Sequence, residues 1–287
     1  MCHHQHPTWK YNFKVNHLLT QKTISGQAIE FYSPHYPSTE KDKDYTEGTL
    51  YVTLKDSKQS ADEVVRNGLE FVFALNNRVN FPIDLTKLES PPGWLPMIKF
   101  SGSGYDSITH NNPDNIPDLW SKYQKLIGDN HPQLLRSVQW FMRAIKSEDA
   151  IDKFINCWIT FNMLYGWLTT VRGEDHNNGI KALLGMGIPR LKVQREIIAE
   201  QKAILTAISQ MTLVGRDDGK DRGQCLALAL SNTEPKEILF AAIDAIGILR
   251  HNIFHGIIKD RSNEAERCIW FLLHLDAEII KHQLCRI

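Results

Sequence analysis

Beyond residue 131, apolar residues recur every three or four positions, and this spacing limits the fold of the 287-residue chain more than any other feature. Leu134, Leu135, Val138, Phe141, Met142 and Ile145 make one stripe. Ile238, Ala242, Ile246, Leu249 and Ile253 make another, stepping by 4, 4, 3 and 4. A repeat near 3.6 lines one face of an α-helix, which must be buried against a neighbour. Between the stripes, residues 154–171 carry no charge, and Phe154, Trp158, Phe161, Leu164, Tyr165 and Leu168 make the segment apolar almost all round. Its length reaches the lower limit of a membrane span. However, Asn156, Thr160, Asn162, Thr169 and Thr170 interrupt it, so it is read as the central helix of a bundle and no membrane is expected.

Start signals divide this half into about five helices. Pro132 suits a first helical turn, as do Pro189 and Pro235. Ser147-Glu-Asp149 opens the apolar helix, and the one after Pro189 carries Ile197, Gln201, Ile204, Ile208 and Met211. Asn263 with Glu266 resembles a capping box for a last helix running to about Leu284. Residues 215–223, with Arg216, Asp217, Asp218, Lys220, Asp221 and Arg222, read as a charged, glycine-bounded loop.

Residues 1–130 read differently. Segments 27–33 and 48–56 look like strands, the second rich in β-branched and aromatic residues. Ser60 and Glu63 form a capping-box pattern for a helix through Val64, Val65, Leu69, Val72, Phe73 and Leu75, ending near Asn77. Residues 81–130 shift to Pro, Gly, Ser, Asn and Asp, which breaks long helices and leaves room for a short strand near 97–100. Ser101-Gly-Ser-Gly104 lacks the lysine and following helix of a phosphate loop and is read as a turn. His3, His4 and His6 read as a solvated tail. The expected fold is thus an α+β N-terminal domain over 1–130, followed by an all-α bundle over 131–287.

Lys plus Arg and Asp plus Glu balance at 33 each, which argues against a nucleic-acid coat protein or a membrane-surface binder. A local basic patch remains compatible with it. The five cysteines are scattered and never spaced CxxC, against a disulfide framework or structural zinc. Residues 1–10 lack the apolar run of a signal peptide. Together these point to a reducing cytoplasm.

Chemistry concentrates in residues 249–256, Leu-Arg-His-Asn-Ile-Phe-His-Gly. His251 and His255 lie four apart on one helix face. Asp244, seven before His251, falls on the same side, and Asn252 sits three before His255. Arg250 points about 140° from His255 on an ideal helix. Spacing alone fits a helix end whose Arg and His meet the last free carbonyls. It also fits phosphate-ester chemistry, with a permanent guanidinium cation beside an imidazole. A zinc peptidase would need glutamate where Asn252 stands, and no third ligand is evident, so neither metal nor other cofactor is expected.

Arg250-His-Asn-Ile-Phe-His255-Gly256 resembles the Arg-x4–6-His signature of the HEPN superfamily, and within it the ApeA-like branch, where Arg-Asn-Asn-Leu-Phe-His-Gly is typical. Trp140-Phe-Met-Arg-Ala-Ile145, with residues 152–166, resembles the family's paired early helices. Residues 238–249 resemble the helix leading into the motif. The resemblance covers residues 131–284, about half the chain.

It implies a helical bundle that pairs as a homodimer through the motif helices and cleaves RNA without a metal, in the manner of toxins and antiviral effectors. His255 would be the general acid/base, Arg250 would steady the phosphate, and His251 would orient the site from a position where asparagine is commoner. Asn162 stands where some relatives carry glutamate. Asn252 and Asp244 would support. A non-catalytic HEPN module, binding RNA or a protein partner, is the alternative. Association with multi-domain effectors casts residues 1–130 as a sensor or restraint that takes a regulatory partner.

Overall fold

The computed structural model describes residues 8–15, 24–26, 28–32, 46–53, 61–78, 83–88, 115–128, 131–169, 176–215, 218–231, 234–255 and 262–287. They fall into two compact units, Met1–His131 and Pro132–Arg286. An α+β unit is therefore followed by a helical one.

The first unit holds an antiparallel sheet of five strands: β1 (Thr8–Val15), β2 (Ile24–Ser25), β3 (Ile29–Tyr32), β4 (Thr46–Thr53) and β5 (Ile83–Leu88), in the order β2-β3-β4-β1-β5. The expected strands at 27–33 and 48–56 correspond to β3 and β4, while β1, β2 and β5 are additions. In β1 the alternation is plain: Tyr11, Phe13 and Val15 are buried and Asn12 is exposed. Helix α1 (Ala61–Asn77) covers the sheet, Phe73 meeting Phe13 and Phe31 with ring centroids 5.8 and 6.2 Å apart.

Helix α2 (Ile116–Gly128) corrects the reading of 81–130 as loop. Pro117 is tolerated because the amides of a first helical turn have no intrahelical partner. Leu119, Trp120, Tyr123 and Leu126 bury its apolar face. A Cβ at Gly68 would lie 2.3 Å from the Tyr123 ring, so only glycine lets α1 and α2 approach this closely. His3, His4, His6, Ser60, Gly256 and residues 97–100 and 101–104 lie outside the described residues.

The second unit comprises α3 (Pro132–Lys146), α4 (Ala150–Leu168), α5 (His176–Gly187), α6 (Leu191–Glu200), α7 (Lys202–Ser209), α8 (Arg222–Ser231), α9 (Pro235–Phe254) and α10 (Ser262–Leu284). Eight described helices thus replace the expected five. The single stripe after Pro189 is broken at Gln201, whose φ of −98° and ψ of 12° leave the helical range and divide α6 from α7. Helix α5, with four polar or glycine residues at its start, and the weakly amphipathic α8 carry little periodic signal. Arg222, read as loop, opens α8. Helix α10 starts at Ser262, so Asn263 lies inside it rather than capping it.

Asp149 caps α4, its carboxylate accepting from the Asp152 backbone N–H at 2.9 Å. The expected central place of α4 belongs instead to α10. Helix α4 leaves Asn162 and Gly166 exposed, whereas α10 is enclosed from Phe271 to Ala277. His274 and Asp276 interrupt its apolar pattern, and their burial is a matter of tertiary packing. Among the described residues no helix is long and apolar enough to cross a membrane.

Candidate active site

The motif occupies the last turn of α9. Pro235 lies in its first turn, and Ile238, Leu239, Ala242, Ile243, Ala245, Ile246 and Leu249 anchor one side in the core. At Gly247 the helix passes the buried Trp158 of α4, whose Cη2 is 3.4 Å from where a Cβ would stand. A helix pinned along this length presents its final turn at a set angle. His255 ends it, its backbone N–H donating to the His251 carbonyl at 3.1 Å.

Two side-chain pairs, each spaced i and i+4, then lie next to each other. The His251 and His255 rings face one another with centroids 4.3 Å apart and planes tilted by 44°. The Arg250 guanidinium carbon sits 4.5 Å from the centre of the Phe254 ring, a cation held on an aromatic face. The motif is not enclosed: Phe254 and His255 are exposed, and Arg250, His251 and Asn252 are half-buried. Two atoms nevertheless are out of contact with solvent and lack a hydrogen-bond partner among the described residues, Arg250 Nε and His251 Nε2. A buried polar atom left unmatched costs about 1–3 kcal/mol.

The other sequence candidates are placed elsewhere. Asp244 forms an ion pair with Arg222 Nε at 2.7 Å, tying α9 to the start of α8. Arg222 also reaches Asp218 Oδ2 at 2.8 Å. The Lys220 backbone N–H, and then Arg222, hold the Asp218 carboxyl below the usual carboxylate range. Asn162 is exposed on α4, a helix separate from the one that carries the motif. The structure thus brings together Arg250, His251 and His255, with Asn252 beside them in the same turn.

The chain was compared with models of known families, with curated proteins and with solved structures. None matches.

The chemistry open to this turn follows from its groups. Two adjacent imidazoles can hold and pass a proton, and a neighbouring guanidinium can stabilise an anion. Among the described residues no group of three or more His, Cys, Asp and Glu side chains is placed to hold a metal ion. Phe254, absent from the candidates of the motif, joins them through its contact with Arg250. Its signal was available, since an aromatic four residues after an arginine shares that arginine's helix face.

Proposed function

We propose that this protein is a metal-independent endoribonuclease of the HEPN type, with Arg250, His251 and His255 as its working groups. The observation that carries the reading is the facing pair His251–His255 at the exposed end of α9, beside a guanidinium. The resemblance of residues 250–256 adds the substrate, RNA, and the expectation of a toxin or antiviral effector.

In this mechanism His255 takes the proton of a ribose 2′-hydroxyl. The 2′-oxygen forms a bond to phosphorus while the bond from phosphorus to the 5′-oxygen breaks. A protonated histidine gives its proton to the departing 5′-oxygen. The products are a 2′,3′-cyclic phosphate and a 5′-hydroxyl. Arg250 offsets the charge growing on the phosphoryl oxygens. Proton transfer by a positioned side chain is worth roughly 10²- to 10⁴-fold, and a fixed charge donor can supply about 10²- to 10³-fold more.

The resemblance also implies a homodimer through the motif helices, and the exposed Phe254 and His255 at the end of α9 are open to such a contact. The N-terminal unit would act as the sensor or restraint. The alternative is a HEPN module that binds RNA or a protein without cutting. It draws on the seating of the Arg250 guanidinium over Phe254 rather than in the open.

Purified protein incubated with RNA in chelator separates these readings. Cleavage by the wild type, 2′,3′-cyclic phosphate ends by mass spectrometry, and loss in His255→Ala are expected. Equal cleavage by His255→Ala ends the assignment; binding without cleavage selects the module; loss of cleavage in chelator selects a metal hydrolase.

A further inference from the structure

We infer that Phe254 is a stacking platform for one unpaired base of the RNA strand, and so makes the site selective for single-stranded RNA. The inference rests on the nuclease reading for the identity of the strand. Its structural basis is separate from the histidines.

Phe254 is 51% exposed, although it ends a helix whose other large apolar residues are mostly in the core. Leaving such a ring in water forgoes the gain from burial, and an isolated exposed apolar side chain is common enough. This one differs in its setting. Around it in the same turn stand the polar Arg250, His251, Asn252 and His255, with half-buried Ile253 the one apolar neighbour in that turn. The remaining exposed large apolar residues of the described chain, Met186, Leu191, Val214, Leu228 and Trp270, belong to other segments. A face made for an apolar protein partner would instead gather such residues into one patch. An aromatic ring ringed by a cation and imidazoles fits a ligand that is flat, polarisable and joined to an anion. A nucleotide has that form.

The geometry fits the order of groups along a strand. The guanidinium lies 4.5 Å from the Phe254 ring centre, so cation and ring form one surface. Bases stack on aromatic rings and on guanidinium planes alike. His255 follows Phe254 directly, with adjacent Cα atoms about 3.8 Å apart. Phe254 also stands three residues after His251, a spacing that makes neighbours on a helix surface, so a base stacked on Phe254 brings its own sugar and phosphate toward the His251–His255 pair. Arg250 serves two groups: its planar face meets the aromatic surface and its N–H edge meets the phosphate. In a duplex each base is stacked between its neighbours, so only a single strand, loop or bulge can offer one to Phe254. Stacking also tolerates any base, so the resulting preference is for strand state more than for sequence.

The test uses the full-length protein and a fluorescent single strand carrying 2′-O-methyl groups, which has no 2′-hydroxyl to attack and stays intact. Anisotropy titrations at one fixed salt concentration compare the wild type with Phe254→Ala, Phe254→Leu and Phe254→Trp. Removing one base–aromatic stack is expected to weaken binding by roughly 5- to 100-fold in Phe254→Ala. Phe254→Trp should retain affinity and Phe254→Leu should not, which separates stacking from mere apolar contact. A series of strands with one abasic residue at successive positions supplies the second reading. At one position the abasic residue should weaken the wild type by the same factor and leave Phe254→Ala unchanged.

Equal binding by wild type and Phe254→Ala overturns the platform. So does an abasic series that weakens both proteins equally at every position. A solution molar mass halved by Phe254→Ala, with abasic losses independent of the substitution, would assign the ring to contact with a second copy. Failure of the nuclease reading looks different. A wild type that binds through Phe254 but leaves ordinary RNA uncut keeps the platform and removes the nuclease. Cleavage through His255 with Phe254→Ala unaffected does the reverse, and a wild type that binds no strand removes the platform.

Discussion

The end of α9 and the middle of α10 both interrupt an apolar helix with charged and imidazole side chains, and the two outcomes are opposite. In α9 the interruption falls on the last turn, where Phe254 and His255 reach solvent. In α10 it falls at His274 and Asp276, deep in the bundle. His274 is matched there, its Nδ1 standing 3.0 Å from Gln201 Nε2 and 3.6 Å from Glu200 Oε2. Asp276 is not: neither carboxyl oxygen has a hydrogen-bond partner among the described residues. Burial pushes its carboxyl well above the ordinary range, and it helps burial to raise the Cys157 thiol on α4. Polar residues at a helix end can meet a ligand. The same residues inside the core change stability and its pH dependence.

The largest effect should come from the α9 end. His255→Ala is expected to reduce RNA cleavage by about 10²- to 10⁴-fold with little change in the melting midpoint, because the side chain is exposed. A variant that melts much earlier would place His255 with the structural residues. Leu249→Ala reverses that pattern. Leu249 is fully buried one residue before Arg250, and its truncation should cost about 2–5 kcal/mol in denaturant titrations. Unchanged stability would mean that α9 is not held by this seam.

Asp276 tests the α10 side. The folded chain binds its proton more tightly than the unfolded chain, where Asp titrates near pH ~3.9. Its stabilising contribution is therefore complete below that pH and declines as pH rises toward the elevated folded value. Asp276→Leu should gain roughly 1–3 kcal/mol at neutral pH by removing an unmatched buried group. Asp276→Asn should flatten the decline. A wild-type midpoint that climbs between about pH 5 and 8 relative to Asp276→Asn contradicts the assignment. The smallest effect is expected at Asp244, whose ion pair with Arg222 is partly solvated, with side chains 22% and 16% exposed. Asp244→Asn keeps an acceptor oxygen for Arg222 and should cost on the order of 1 kcal/mol while leaving most cleavage intact. A loss as large as that of His255→Ala would return Asp244 to the site.

Much of the bundle could be read directly because its signals are local. Pro132 and Pro235 begin α3 and α9, and Asp149 caps α4. What escaped has identifiable causes. Pro117 masked α2 by composition, and the break at Gln201 lies inside a stripe whose spacing continues through it. In β1, Tyr11, Phe13 and Val15 alternate cleanly with polar residues, a short signal that the expected strands at 27–33 and 48–56 did not include.

At the site, sequence alone determined that Arg250 and Phe254 share one helix face and His251 and His255 the next, since that follows from 3.6 residues per turn. It also determined that Ile246 and Leu249 turn toward the core. Tertiary structure decided the remainder. It set Asp244 against Arg222, left Asn162 facing solvent on α4, and enclosed Asp276 while leaving Phe254 open. Periodicity orients a side chain about its own helix axis. Which neighbour stands opposite depends on residues far away in sequence, and burial is settled only when those helices pack.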